Sequence, residues 1–257
     1  MGAQGFAKMK LLLLAFACAV SYFHIEANLD IQNQILSDFK AKYNNSKSDL
    51  IFLLDTSGSV GTHNFKSEKD FVNSLLNEFS LAPYSTRVAV ITFGKVVKTD
   101  INYIDIEGTE LDKNKCKFKP KFQNQVPFRN GARTDMKAGF SEVINLLRET
   151  KLNNRKRNGV HTVAMMITDG WWNTESPYDN TDTLKSTYLV DIFAVGVGYY
   201  DLRQLNRIAS SPQPVLEFSS FRDFKTLAMR IRGGELKYIK EKVLSYDRVD
   251  AKKKRPG

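Results

Sequence analysis

From Leu50 onward, short unbroken apolar runs alternate with longer amphipathic stretches, a rhythm that few folds accept. The runs "LIFLLD", "RVAVITF", "GVHTVAMMITDG", "YLVDIFAVGVG" and "VLEF" read as strands. Between the first two, "NFKSEKDFVNSLLNEF" sets Phe65, Phe71, Val72, Leu75, Leu76 and Phe79 at helical spacing. "MKAGFSEVINLLRE" does the same with Phe140, Val143, Ile144 and Leu147, while "DLRQLNRIA" and "SFRDFKTLAMRIR" read as further helices. Strands that are apolar on both faces must be covered on both. The pattern therefore predicts a Rossmann-like α/β fold: an open, mainly parallel sheet flanked by helices on both faces.

The flanks read differently. Residues 1–27 have the make-up of a secretory signal: Lys8 and Lys10, the apolar run "LLLLAFACAV", then small residues at Ala19, Ser21 and Ala27. That run is too short to span a bilayer, and the expected location is extracellular. Residues 28–47 form a helical and polar lead-in that could pack on the domain or on a partner. The domain itself is expected over 48–232, and 233–257 form a basic helix and tail beyond Gly233-Gly234. Asn44, in Asn44-Asn45-Ser46, is a glycosylation sequon in a stretch expected to be exposed. Of two cysteines, Cys18 lies in the signal, so Cys116 stands alone. A disulfide framework is excluded. Cys116 is either a buried free thiol, the reading favoured by cysteine's usual burial, or a link to a second chain in a disulfide dimer.

The formal charge of +10 favours anionic partners. In "KNKCKFKPKF", Lys113, Lys115, Lys117, Lys119 and Lys121 alternate, which in an extended segment gathers them on one face. That face is either solvated or a polyanion site of the glycosaminoglycan type, aided by Arg129, Arg133 and the basic residues 155–157.

Three sequence points should meet beyond the carboxyl ends of the strands, where open sheets of this class bind ligands. They are Asp55-Thr56-Ser57-Gly58-Ser59, Thr134 in "GARTDM", and Asp169 in "ITDG". Together they supply two carboxylates and three hydroxyls, a hard oxygen set suited to Mg²⁺ and less selectively to Mn²⁺ or Ca²⁺. Helix capping would explain one hydroxyl but not three converging loops. Aspartic-protease chemistry would need a second such aspartate, and neither a phosphate-binding loop nor a dinucleotide fingerprint follows any strand. His24, His63 and His161 are too dispersed for a zinc site. The expected class is a binding module, not an enzyme.

"DTSGS", Thr134 and "TDG", in this order and setting, resemble the metal-ion-dependent adhesion site of von Willebrand factor type A domains, and the resemblance spans about residues 48–232. Within the family the likeness is nearest to A domains of the polydom type, in "KNKCKF", "KAGF", "QLNRIASSP" and "FSSFRDF". The resemblance implies that Ser57, Ser59 and Thr134 contact the cation while Asp55 and Asp169 act mostly through water and by orienting the serines. It also implies that an acidic side chain of a matrix or cell-surface protein completes the shell; nucleic acid is not an expected partner. The polydom-type domain pairs the cysteine matching Cys116 with one near the last strand, but "SSPQPVLEFSS" has none. Trp171 and Trp172, directly after the metal-site loop, and Arg133 are candidate contacts to the partner; of the two tryptophans, Trp172 is the one expected to be exposed.

Overall fold

The computed structural model describes residues 26, 28–44, 47–103, 111–153, 156–210 and 215–232. The signal segment apart from residue 26, the basic region 233–257 and Arg155 lie outside the described residues, as do the side chains of Lys113 and Lys115.

Helix α1 covers residues 28–44. Then follow β1 (Ser48–Asp55), α2 (Gly61–Leu76), β2 (Thr86–Phe93), β3 (Lys98–Ile101), α3 (Leu111–Gln125) and α4 (Met136–Leu152). The chain continues with β4 (His161–Thr168), α5 (Tyr178–Ser186), β5 (Val190–Val197), α6 (Leu202–Ile208), β6 (Val215–Phe218) and α7 (Phe221–Arg232). The sheet order is β3-β2-β1-β4-β5-β6, with every pairing parallel except β2 with the edge strand β3. The architecture is the one the apolar rhythm dictates.

β1 explains the layering. Its side chains alternate between two cores: Leu50, Phe52 and Leu54 enter one, Ile51 and Leu53 the other. The first core is closed by residues of α1, α2, α3 and α7, the second by residues of α4, α5 and α6. Phe71 of α2 packs on Phe224 of α7 with ring centroids 4.6 Å apart. α4 starts where Asp135 caps it, accepting from Ala138 N at 2.9 Å, and α6 where Asp201 accepts from Arg203 N at 2.8 Å.

The lead-in helix is part of this body. Leu29, Leu36, Phe39 and Tyr43 of α1 are buried in the first core, and Phe39 packs on Tyr43, Phe79 and Phe193 at centroid distances of 4.9, 5.8 and 4.8 Å. Gln32 Oε1 accepts from Glu217 N on the edge strand β6, and Arg230 of α7 pairs with Glu26 and Asp30. Asn44, expected to be exposed, is half-buried: its Nδ2 donates to Glu78 O at 2.8 Å and its Oδ1 accepts from Ser80 N at 3.3 Å. No helix among the described residues is long and apolar enough to cross a membrane.

The lysine run is corrected. It belongs to helix α3, not to an extended segment, because Phe118 and Phe122, one turn apart, are both buried and stack at 5.4 Å. That packing outweighs Pro120 inside the helix. At 100° per residue the alternation splits the run: Lys117 and Lys121, four apart, lie on one side of the helix and Lys119 on another, so the lysines do not gather on a single face. The same geometry exposes Cys116, two residues from Phe118, against the expectation of burial. The edge strand β3 and helix α5 have no counterpart in the periodicity reading. β3 is four residues with only Ile101 buried, and α5 buries only Thr181 and Leu184.

Because Phe39 anchors α1 to the core, Phe39→Ala is expected to destabilise the full chain by about 3–5 kcal/mol in urea unfolding. Unchanged stability would show that α1 is only loosely applied.

Candidate metal centre

β1 lies between β2 and β4, both parallel to it, so its carboxyl end is fixed on two sides. From β1 the chain winds outward to β2 and β3 and then returns across the sheet to β4, which makes the β1–β4 boundary the crevice of the sheet. Asp55 ends β1 and Asp169 follows β4 at this boundary.

Asp55 is fully buried and both its oxygens are engaged. Oδ1 accepts from Ser57 N at 2.8 Å, a local turn in which the carboxylate organises the loop that follows it. Oδ2 accepts from Thr168 Oγ1 at 2.7 Å, tying β1 to the end of β4. The loop then presents its hydroxyls in sequence. Ser57 Oγ stands 3.1 Å from Ser59 Oγ, and Ser59 Oγ donates to Asp169 Oδ1 at 2.9 Å. Asp55, Ser57, Ser59 and Asp169 thus form one connected cluster.

The Thr134 loop is joined to this cluster from both sides. Gly58 N donates to Gly131 O at 2.6 Å and Gly131 N to Thr56 O at 2.9 Å, stitching the Thr134 loop to the serine loop. Thr134 N donates to Asn173 Oδ1 at 3.0 Å, stitching it to the segment after Asp169. Only glycine fits at position 131, where a Cβ would stand 2.5 Å from Lys95 N. Thr134 itself is buried.

Burial pushes the Asp55 carboxyl up to about 6, against the opposing pull of its hydrogen bonds to Ser57 and Thr168, with the Asp169 charge adding to the rise. Burial also raises Asp169. Neither acid has an ion-pair partner among the described residues. A buried acid and a half-buried one, with no ion-pair partner among the described residues, make a region of uncompensated negative potential. Among the described residues no three His, Cys, Asp or Glu side chains gather into a metal cluster, so a cation here would depend on hydroxyl oxygens as well as on acids. The donor set fits. Adjacent oxygens of an octahedral Mg²⁺ shell lie about 2.9 Å apart when each Mg–O bond is about 2.0–2.1 Å. The two serine oxygens stand 3.1 Å apart, and Ser59 Oγ is held by its 2.9 Å bond to Asp169 Oδ1.

The other sequence candidates divide. Trp171, for which the sequence left exposure and burial open, is 59% exposed, while Trp172, expected to be exposed, is half-buried and packs on the second core with its ring 5.2 Å from that of Tyr178. Arg133 is exposed. Two basic residues assigned to a polyanion face are engaged internally. Arg129 clasps Asp100 with both nitrogens, one contact at 2.8 Å, and Arg157 pairs with the buried Asp49 and donates to Ser48 O at 2.8 Å. Sequence reasoning passed over two neighbours of the cluster, Thr168 and Asn173, which carried no signal of their own.

The sequence model of the von Willebrand factor type A domain matches residues 49–230. Over 184 residues the chain is 32% identical to "Sushi, von Willebrand factor type A, EGF and pentraxin domain-containing protein 1" of Mus musculus, a match covering 71% of this chain and 5% of that protein. It is 27% identical over 168 residues to matrilin-1 of Gallus gallus, covering 64% of this chain and 32% of that one. Among solved structures, proximal thread matrix protein 1 from the mussel byssus, with a zinc-occupied MIDAS motif, is similar at a TM-score of 0.62 and 26% identity, over 73% of this chain and 47% of that chain. The chain therefore spans less than half the length of each of these three proteins.

The raised Asp55 carboxyl has a consequence for the cation-free fold. Below the ordinary value of 3.8 the group is neutral in both folded and unfolded chains; as pH rises through about 6 the buried acid must ionise, and the fold loses stability. The rise from 3.8 to about 6 corresponds to about 3 kcal/mol. In EDTA, Asp55→Asn is expected to gain stability over the natural chain as pH climbs through this window, read by urea unfolding. A difference that does not vary with pH would contradict the burial argument.

Proposed function

We propose, from the premise that the chain belongs to the von Willebrand factor type A domain family, that it is a secreted, metal-dependent adhesion and protein-interaction module, a binder and not an enzyme. The observation that carries the reading is the oxygen cluster. Ser57, Ser59 and Asp169 lie in contact at 3.1 and 2.9 Å beside Asp55, and neither acid has a basic partner among the described residues. In this reading Ser57, Ser59 and Thr134 hold Mg²⁺, or less selectively Mn²⁺ or Ca²⁺. Asp55 and Asp169 fix the serines and act on the ion through water.

When bound, the cation supplies a Lewis-acidic position that a partner's carboxylate can complete. The residues do the rest. Asp55 holds the backbone of Ser57, so the two hydroxyls keep their spacing without rearranging on binding. Arg133, next to Thr134 and exposed, draws an acidic partner towards the site. Trp171, two residues beyond Asp169 and exposed, offers the apolar surface that a contact of this kind buries. A zinc-occupied site in a mussel thread matrix protein supports both a divalent cation and a matrix setting. The signal-like residues 1–27 support secretion.

Adhesion of the full chain to an immobilised extracellular-matrix preparation is expected in Mg²⁺ and to be lost in EDTA. Trp171→Ala is expected to weaken it by about 1–2 kcal/mol while leaving the thermal midpoint nearly unchanged, because the ring is largely in solvent. Adhesion that persists unchanged in EDTA would contradict the reading.

A further inference from the structure

Thr134 is the donor of the proposed metal centre that no strand carries. Asp55 ends β1 with Ser57 and Ser59 just beyond it, and Asp169 follows β4, whereas Thr134 stands in the segment between α3 and α4. Val126 and Phe128 attach the start of that segment to the first core, where Phe128 packs on Phe65 with ring centroids 5.6 Å apart. Apolar contact of this kind is non-directional, so it holds the segment down without fixing where the next residues lead.

The direction is set by Arg129. Its guanidinium grips Asp100 of β3 with two bonds, Nη1 to Oδ2 at 2.8 Å and Nη2 to Oδ1 at 2.5 Å. Nη1 also donates to Thr92 Oγ1 of β2, which itself donates to Asp100 Oδ2 at 2.7 Å. The Arg129 and Asp100 side chains are only 16% and 2% exposed, and Thr92 is fully buried. Thr92 precedes Phe93, the β2 residue paired with Asp55, and the Phe93 carbonyl accepts from Thr56 N at 2.7 Å. On the other side of the clasp, Asn130 turns the chain through a left-handed φ of 47°, and Gly131 is bonded to Thr56 and Gly58. Arg129 thus closes a circuit of side-chain and backbone contacts. It leaves the end of β1, crosses β2 and β3, and returns to the serine loop three residues before Thr134.

We infer that Arg129, through its clasp on Asp100, is a positioning residue of the metal centre: it sets the path of the loop that delivers Thr134 to the cation. The inference rests on the metal-binding reading proposed above. Stability alone gives little reason for the pair, because an ion pair withdrawn from water is often matched by apolar residues of similar bulk. A planar fork gripping a carboxylate does what apolar contact does not, fixing the orientation of the backbone it stands on. The pair carries no net charge, so its effect on a cation comes through the position of Thr134 rather than through the field.

Mg²⁺ binding by calorimetry, with thermal unfolding in EDTA alongside, tests this on the natural full-length chain and two variants of it. Arg129→Lys keeps the charge and loses the fork, while Arg129→Met combined with Asp100→Leu replaces the pair by apolar bulk. Both are expected to bind Mg²⁺ about tenfold more weakly at temperatures where they are folded. The apolar pair is expected to unfold in EDTA at no lower temperature than the natural chain. A purely structural ion pair gives the reverse, a lower unfolding temperature with Mg²⁺ affinity untouched. Unchanged Mg²⁺ affinity in the variants, or failure of both to fold, overturns the inference while leaving the metal reading intact. A natural chain that takes up no Mg²⁺ overturns the metal reading and this inference with it.

Discussion

Asp55 is a carboxylate carried to the end of a strand that has no freedom to move. β1 is buried along its whole length, apolar on both faces from Leu50 to Leu54, and hydrogen-bonded to parallel neighbours on both edges. An acid in that place can neither swing out to water nor find a basic partner among the described residues, and burial drives its carboxyl up to about 6. Everything around it follows from the need to satisfy that group. Ser57 N and Thr168 Oγ1 supply its hydrogen bonds, and those bonds set the path of the loop on which Ser57 and Ser59 stand.

The Thr134 loop is held to the first by backbone bonds and to the segment after Asp169 by a side chain. Gly131 exchanges hydrogen bonds with Thr56 and Gly58, and Asn173 reaches back to the Thr134 amide. Bonds to the main chain keep the constellation rigid, so a ligand need displace only the contacts among the Ser57, Ser59 and Asp169 side chains. Under the proposed reading, the protein supplies a preorganised half-shell and its partner the rest. α1 extends the same rigidity to the far side of the sheet by closing the first core and touching both the edge strand β6 and α7.

Much of this was legible in the sequence, and the parts that were not have physical reasons. β1, β2, β4, β5 and β6, with α2, α4, α6 and α7, declared themselves because burial on one or two faces imposes a period on the residues. The three motif points were legible as oxygen donors because strand ends in such sheets converge. Alternating lysines and Pro120 disguised α3, whose helical state depends on the burial of Phe118 and Phe122, a tertiary fact. α5 was invisible because a helix that buries so little shows no stripe. Trp172 was expected in solvent and instead packs on Tyr178, since nothing local says which of two adjacent rings turns inward. Thr168 and Asn173 contribute single hydrogen bonds whose partners are distant in the chain.

What unites the fold and the proposed role is a region of negative potential left uncompensated by any described side chain, at the crevice where this sheet class binds its ligands. Crystals of the full chain grown or soaked in Mn²⁺ and measured for anomalous scattering test that most directly. The account predicts one strong peak within bonding distance of the Ser57 and Ser59 hydroxyls, with water or a foreign carboxylate on its open side. A cluster that stays empty at saturating Mn²⁺, its serines still bonded to each other and to Asp169, would contradict it.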